Sequence, residues 1–152
     1  MEQAGLATIV INADTHYEAL KVGRNLWVEA REKVTFLLVS PEQMRTTGFF
    51  GLLEDPIFGA RVCVLGVDEC HLIYWWGQKL RPDFHQMNLV RSRLPLRGGM
   101  RIPVAALTAT LQVGKSMDCI LSALAFKPGS FHLIRRSNMR PDIQIICKLG
   151  PK

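Results

Sequence analysis

The chain has 152 residues, 48% hydrophobic and 21% charged, with a net charge of +6. That length suits one domain or a piece of a larger one, and that apolar content excludes a disordered chain. No apolar run approaches the ~20 residues of a membrane-spanning helix, so no membrane partner is expected.

The pattern alternates strand and helix. "LATIVIN" (6–12) reads as a buried strand. Thr15-x-x-Glu18 has the form of a capping box, opening a helix over 15–31 with Leu20, Trp27 and Ala30 on one face. Gly23 weakens that helix by ~1 kcal/mol relative to alanine. "VTFLLVS" (34–40) is a second strand. Ser40, Pro41 and Gln43 mark a helix start, as cap, first helical residue and capping-box partner. "RVCVLGVD" (61–68) is a third strand. Pro82 opens a helix running to about 94, and "PLRGGMR" is a loop. "IPVAALT" (102–108) is a fourth strand, followed by a helix over about 114–126. "FHLIRR" (131–136) reads as a fifth strand and "IQIICK" (143–148) as a sixth. Apolar strands without alternation, separated by helices, predict an α/β fold: a parallel sheet with helices on both faces.

Ligands of such sheets gather at the carboxyl ends of strands. Ser40-Pro41-Glu42, Asp68-Glu69 and Thr108-Ala109-Thr110 all fall there, so three polar clusters are expected to converge on one edge. The four cysteines, at 63, 70, 119 and 147, form no C-x-x-C pair. A zinc site or redox pair is therefore not expected, and buried free thiols are. Between 79 and 101 stand six basic residues, Lys79, Arg81, Arg91, Arg93, Arg97 and Arg101, against Asp83 alone. Such a cluster suits a polyanion, because each neutralised phosphate releases counterions, and it equally suits a solvated helix face and loop.

An apolar strand ending in Asp68-Glu69 has the form of a Walker B motif. In that motif the aspartate helps hold Mg²⁺ and the glutamate orients the attacking water. An acidic pair capping the next helix has the same appearance. "DECH" (68–71) is similar to the DEAH form of this motif in helicase superfamily two. "WGQKLRPDF" (76–84) resembles the W-G-x-x-F-R-P-x-[YF] stretch of RecQ-type DNA helicases. "PVAALTAT" resembles their motif III, "LLVSPEQM" their "YVSPERL" segment, and "SNMRPDIQI" the junction between their two RecA-like domains. These segments stand in family order over about residues 7–148. The W-G-x-x-x-R-P-[DE] piece argues against RNA helicases of the DEAD-box class.

The resemblance implies roles. Asp68 would bind Mg²⁺ through water, Glu69 would activate the water that attacks ATP, and His71 would link the nucleotide site to the DNA-sensing region. Trp75, Trp76 and Arg81 would lie in a loop that contacts single-stranded or partly duplex DNA. Stacking on bases at ~1–3 kcal/mol each suits the indoles, and phosphate suits the arginine. Thr108 and Thr110 would couple hydrolysis to strand movement, and Ser40, Glu42 and Gln43 would face the nucleic acid. The family pattern differs at Trp75, Lys79, Leu80 and Asp142, where it has glutamine, an acid, an aromatic and asparagine.

No G-x-x-x-x-G-K-[ST] P-loop stands ahead of the first strand. "ATLQVGKS" (109–116) imitates one, but Ala109 takes the first glycine's place and the run follows the motif III strand. The expectation is an incomplete RecA-like domain over 1–137 that lacks the P-loop strand. Residues 138–152 would be the junction and the start of a second helicase domain. The function implied is that of a fragment of an ATP-dependent 3′–5′ DNA helicase, with a non-catalytic nucleic-acid-binding or interaction module degenerated from such a helicase as the alternative. "MEQAGLATIVINAD" has no basic region ahead of an apolar one, so no signal peptide is expected. The protein is placed inside the cell, and in the nucleus of a eukaryote.

Overall fold

The structure, a computed structural model, describes residues 5–77, 87–94, 96–97, 99–137 and 142. Strand β1 (Thr8–Ile11) leads into helices α1 (Ala13–Lys21) and α2 (Leu26–Lys33), then strand β2 (Phe36–Val39). A 3₁₀ turn (Pro41–Arg45) precedes helices α3 (Thr47–Glu54) and α4 (Pro56–Arg61). Strand β3 (Leu65–Val67) and helix α5 (Leu72–Gly77) follow, then helix α6 (Met87–Arg93). A hairpin of β4 (Leu96–Arg97) and β5 (Met100–Arg101) precedes strand β6 (Val104–Ala106) and helix α7 (Lys115–Ala123). No helix among the described residues is long and apolar enough to cross a membrane.

Parallel pairing is present, but not as one sheet. β1 pairs with β2, Val10 opposite Leu38, and β3 pairs with β6, Gly66 opposite Ala105. No strand pairing joins the two pairs among the described residues. One apolar core unites them instead: Ile11, Val67, Ile73, Val90, Ile102, Ile120 and Leu124 belong to the same buried cluster. Burying each such side chain stabilises the fold by roughly 1.5–3 kcal/mol.

Several expectations are corrected. The helix expected over 15–31 is two helices, because Gly23 adopts φ +71 and Asn25 starts a new one, its Oδ1 accepting from Trp27 N at 3.0 Å. Glycine takes the left-handed region without a Cβ penalty, which makes it a helix stop. Leu20 is therefore not in line with Trp27 and Ala30; it is 54% exposed while they are buried. The capping box is Asn12–Thr15, not Thr15–Glu18: Asn12 Oδ1 accepts from Thr15 N at 2.8 Å and Thr15 Oγ1 from Asn12 N at 2.9 Å. Helix α1 starts where the strand ends, which puts Thr15 at its third position.

Ser40 makes no side-chain cap, and the segment it opens is a 3₁₀ turn. The cap in this region is Thr46, whose Oγ1 accepts from Phe49 N at 3.3 Å. The strand expected over 61–68 begins at Leu65, because Asp55 and Pro56 start α4, which runs to Arg61. Asp55 Oδ1 accepts from Ile57 N at 2.9 Å and from Phe58 N at 3.0 Å. The "PLRGGMR" loop contains the short β4–β5 hairpin. Residues 131–136 form no strand. Leu133 and Ile134 are exposed, and the segment is held by Phe126 against Phe131 at 5.5 Å and by Arg135 donating to Leu111 O at 2.8 Å. Cys63 is exposed, against the expectation of buried thiols, because it lies in the link between α4 and β3; Cys70 is buried. The strand expected over 143–148, the helix start at Pro82 and Cys147 lie outside the described residues.

Candidate functional site

The candidate site grows from the carboxyl ends of β3 and β6. Leu107 N donates to Val67 O at 2.9 Å, and Cys70 N donates to Leu107 O at 3.0 Å. These bonds continue the ladder one step past the strands and set the turn after β3 beside the turn after β6. Asp68 and Glu69 are exposed on the first turn; Cys70 turns inward. Asp68 Oδ1 accepts from Glu69 N at 2.8 Å. Glu69 adopts φ +48, an uncommon conformation for a residue with a Cβ. Such outliers gather at functional sites, where surrounding contacts hold them in place.

The turn runs straight into α5. Leu72 N donates to Glu69 O at 2.9 Å and Ile73 N to Cys70 O at 3.1 Å. Ile73 and Cys70 are the buried anchor beneath the turn. Burial pushes the Cys70 thiol above its ordinary range, and the carboxylates of Glu69 and Asp68 push the same way. A buried, un-ionised thiol is a structural group, not a nucleophile.

His71 ties the two turns together. Its Nδ1 lies 2.9 Å from Thr108 Oγ1 and 3.1 Å from Glu69 Oε2. Thr108 Oγ1 also accepts from Thr110 N at 3.2 Å. With a proton on Nδ1, the ring donates to both the carboxylate and the hydroxyl.

Beside this bridge is a hollow of about 410 Å³ lined by His71, Leu72, Trp75, Thr110, Leu111, Gln112 and Ser116. Trp75 is 63% exposed, with Tyr74 edge-on to it at 5.3 Å. The run with Trp75 and Trp76 was expected as a loop; it is the short helix α5. The reason is the same turn, whose carbonyls at Glu69, Cys70 and His71 accept the first helical N–H groups. Arg81 lies outside the described residues.

Two of the three polar clusters thus meet: Asp68, Glu69 and His71 with Thr108 and Thr110. Ser40, Glu42 and Gln43 follow the other strand pair. Gln43 Oε1 is buried there without a hydrogen-bond partner among the described residues. Gln112 and Ser116 were not singled out as site residues. Their position directly after the Thr108–Thr110 turn was the available signal, masked by the P-loop imitation.

Mg²⁺ takes six oxygens, keeps several waters, and is often held by one or two carboxylates with substrate phosphates completing the shell. Two exposed carboxylates at a strand end fit that mode. Asp68 Oδ2 is left for a water, since Oδ1 holds the Glu69 N–H. Among the described residues no group of three or more His, Cys, Asp or Glu could hold a metal ion as a protein cage.

No protein-family model matches the chain. It is similar to the ATP-dependent DNA helicase RecQ of Haemophilus influenzae, 29% identical over 144 residues, which are 95% of this chain and 21% of that protein. The ATP-dependent DNA helicase RecQ of Pasteurella multocida is 32% identical over 108 residues, 71% of this chain and 15% of its own length. The ATP-dependent DNA helicase Q5 of Mus musculus is 31% identical over 121 residues, 75% of this chain and 11% of its own length. The chain spans about a fifth or less of the length of these curated relatives. Through these shared stretches, in bacterial and animal proteins alike, the chain belongs to the RecQ-type DNA helicases.

Proposed function

We propose that the chain is part of a RecA-like domain of a RecQ-like, ATP-dependent 3′–5′ DNA helicase. The observation that carries this reading is the His71 bridge, 2.9 Å from Thr108 and 3.1 Å from Glu69. It joins the residues that resemble the hydrolytic motif to those that resemble the coupling motif.

In this reading Mg²⁺, when bound with ATP, neutralises charge on the phosphates. Asp68 would hold that ion through a water. Glu69, acceptor-only when ionised, holds and orients the attacking water. His71 keeps Glu69 aimed and transmits its position to Thr108. The Thr108–Thr110 turn moves with it and shifts the hollow where Trp75 stands. Trp75 and Trp76 offer stacking faces to unpaired bases, and Arg81 a guanidinium to phosphate. Ser40, Glu42 and Gln43 form a further nucleic-acid contact. Residues 138–152 would lead into a second helicase domain, and the site of action would be intracellular.

A second reading, a nucleic-acid-binding module without turnover, is favoured by the exposed Trp75, which needs no nucleotide to stack on a base. The 152 residues contain no G-x-x-x-x-G-K-[ST], so tested by themselves they should release phosphate from ATP near background. The readings separate in a chimera, with residues 6–137 replacing the matching segment of a bacterial RecQ relative. The helicase reading expects DNA-stimulated ATP hydrolysis that Glu69→Gln lowers by ~10²-fold or more. A chimera that folds and binds DNA but hydrolyses no ATP would leave the binding module.

A further inference from the structure

The β4–β5 hairpin is unexplained by packing. Leu96 lies opposite Arg101, and Arg97 opposite Met100. Opposite residues of an antiparallel pair share a face. Each face therefore carries one apolar and one basic side chain, and all four residues are exposed, Leu96 by 62% and Met100 by 72%. Neither face is turned to the core, and an isolated two-stranded ribbon adds little stability.

The charge around it has little compensation among the described residues. Arg97 has no ion pair among the described residues. Among the described residues Arg101 Nη1 makes a single 3.4 Å contact, to Arg91 O. Arg91 is turned inward: it donates to Leu124 O and lies 5.3 Å over the Phe126 ring. Burial, and then the nearby Arg101 charge, lower its guanidinium from the usual value. Arg93 lies 4.3 Å over the Phe50 ring, with Glu54 Oε1 at 4.0 Å. Two guanidinium groups at the ribbon thus face water beside two bare apolar side chains. A duplex keeps its base faces stacked and offers a ribbon phosphates and groove edges; a single strand offers phosphates and unstacked base faces together, which suits a guanidinium beside an exposed apolar side chain.

We propose that the β4–β5 hairpin is a second contact for single-stranded nucleic acid, with Arg97 and Arg101 on phosphates and Leu96 and Met100 against bases. This rests on the reading that the chain contacts DNA, and adds a site separate from Trp75. Each phosphate contact on a single strand contributes about 0.7 to the slope of log affinity against log salt.

The test titrates the whole chain with fluorescently labelled oligo-dT over a salt series. Arg97→Ala with Arg101→Ala should lower the slope by about 1.4. Arg97→Lys with Arg101→Lys should keep it. Leu96→Ser with Met100→Ser should weaken binding and leave the slope unchanged. These exposed positions should hardly move the thermal midpoint, which controls for folding. An unchanged slope in the alanine pair, with the parent still binding, overturns the hairpin proposal and spares the DNA-contact reading. A parent that does not bind oligo-dT at low salt overturns both. Displacement of oligo-dT by polyglutamate at equal charge concentration overturns the nucleic-acid assignment, since the hairpin then answers to charge alone.

Discussion

His71 Nδ1 lies within hydrogen-bonding distance of Thr108 Oγ1, at 2.9 Å, across 37 residues of sequence. The contact joins the turns that follow two paired strands, and Thr108 Oγ1 also accepts the Thr110 N–H at 3.2 Å. Replacing Thr108 by valine keeps the shape and removes both bonds. A hydrogen bond is worth about 0.5–1.5 kcal/mol net, so Thr108→Val should destabilise the fold by ~1–2 kcal/mol. Urea unfolding measures this, and an unchanged midpoint would show that the Thr108 hydroxyl adds nothing to the backbone bonds that already join the two turns.

Gly48 sits against Trp27. A Cβ built at Gly48 would lie 2.4 Å from Trp27 Cδ1, on a ring held between His16 and Phe49. That ring is buried, so it must shift within packed surroundings to admit the methyl group. Overpacking of this kind costs ~1–3 kcal/mol, so Gly48→Ala should lower the urea midpoint clearly. Gly51→Ala, in the same helix, meets nothing within 4 Å and is the control. Equal midpoints for the two variants would mean that α3 does not pack on α2 in this way.

Much of this was legible in the sequence, and the omissions have physical causes. β1, β2, β3 and β6 stand inside the apolar runs read as strands, but they are not buried on both faces as expected: Ile11 and Val67 are buried, while Val10, Phe36 and Leu38 are exposed because each strand has a single paired neighbour among the described residues. The break at Gly23 was visible as a weak point but not as an end, since only the φ of +71 turns a tolerated glycine into a stop. The α5 helix was hidden because the carbonyls that start it belong to the turn at Glu69, whose positive φ no local pattern announces. The convergence of the turns at Asp68 and Thr108 was expected from the carboxyl ends of parallel strands, but the His71–Thr108 hydrogen bond itself was not, since it depends on the pairing of β3 with β6. "FHLIRR" has the composition of a strand and lacks a neighbouring edge to pair with among the described residues.

The cysteines should differ in reactivity. Cys63 is exposed, while Cys70 is buried and its thiol is pushed up by that burial. Iodoacetamide at mildly alkaline pH should modify Cys63 first, with Cys70 reacting only as the fold opens. The folded thiol holds its proton above the ordinary range of ~8.5, where the unfolded one has lost it. Cys70 therefore contributes stability that is full below that range and is lost as pH rises through the raised value. Mass spectrometry of partly labelled protein reads the order, and early labelling at Cys70 would contradict its placement beneath the site.

The central claim is that the two turns and the hollow beside them are a nucleic-acid-responsive site, with Trp75 as its stacking face. Trp75 can be read alone in a Trp27→Phe, Trp76→Phe host, in which it is the last indole. Emission should be red-shifted, as for an exposed ring, and oligo-dT at low salt should quench it in a saturable way. Blue-shifted emission that oligo-dT does not move would contradict the account.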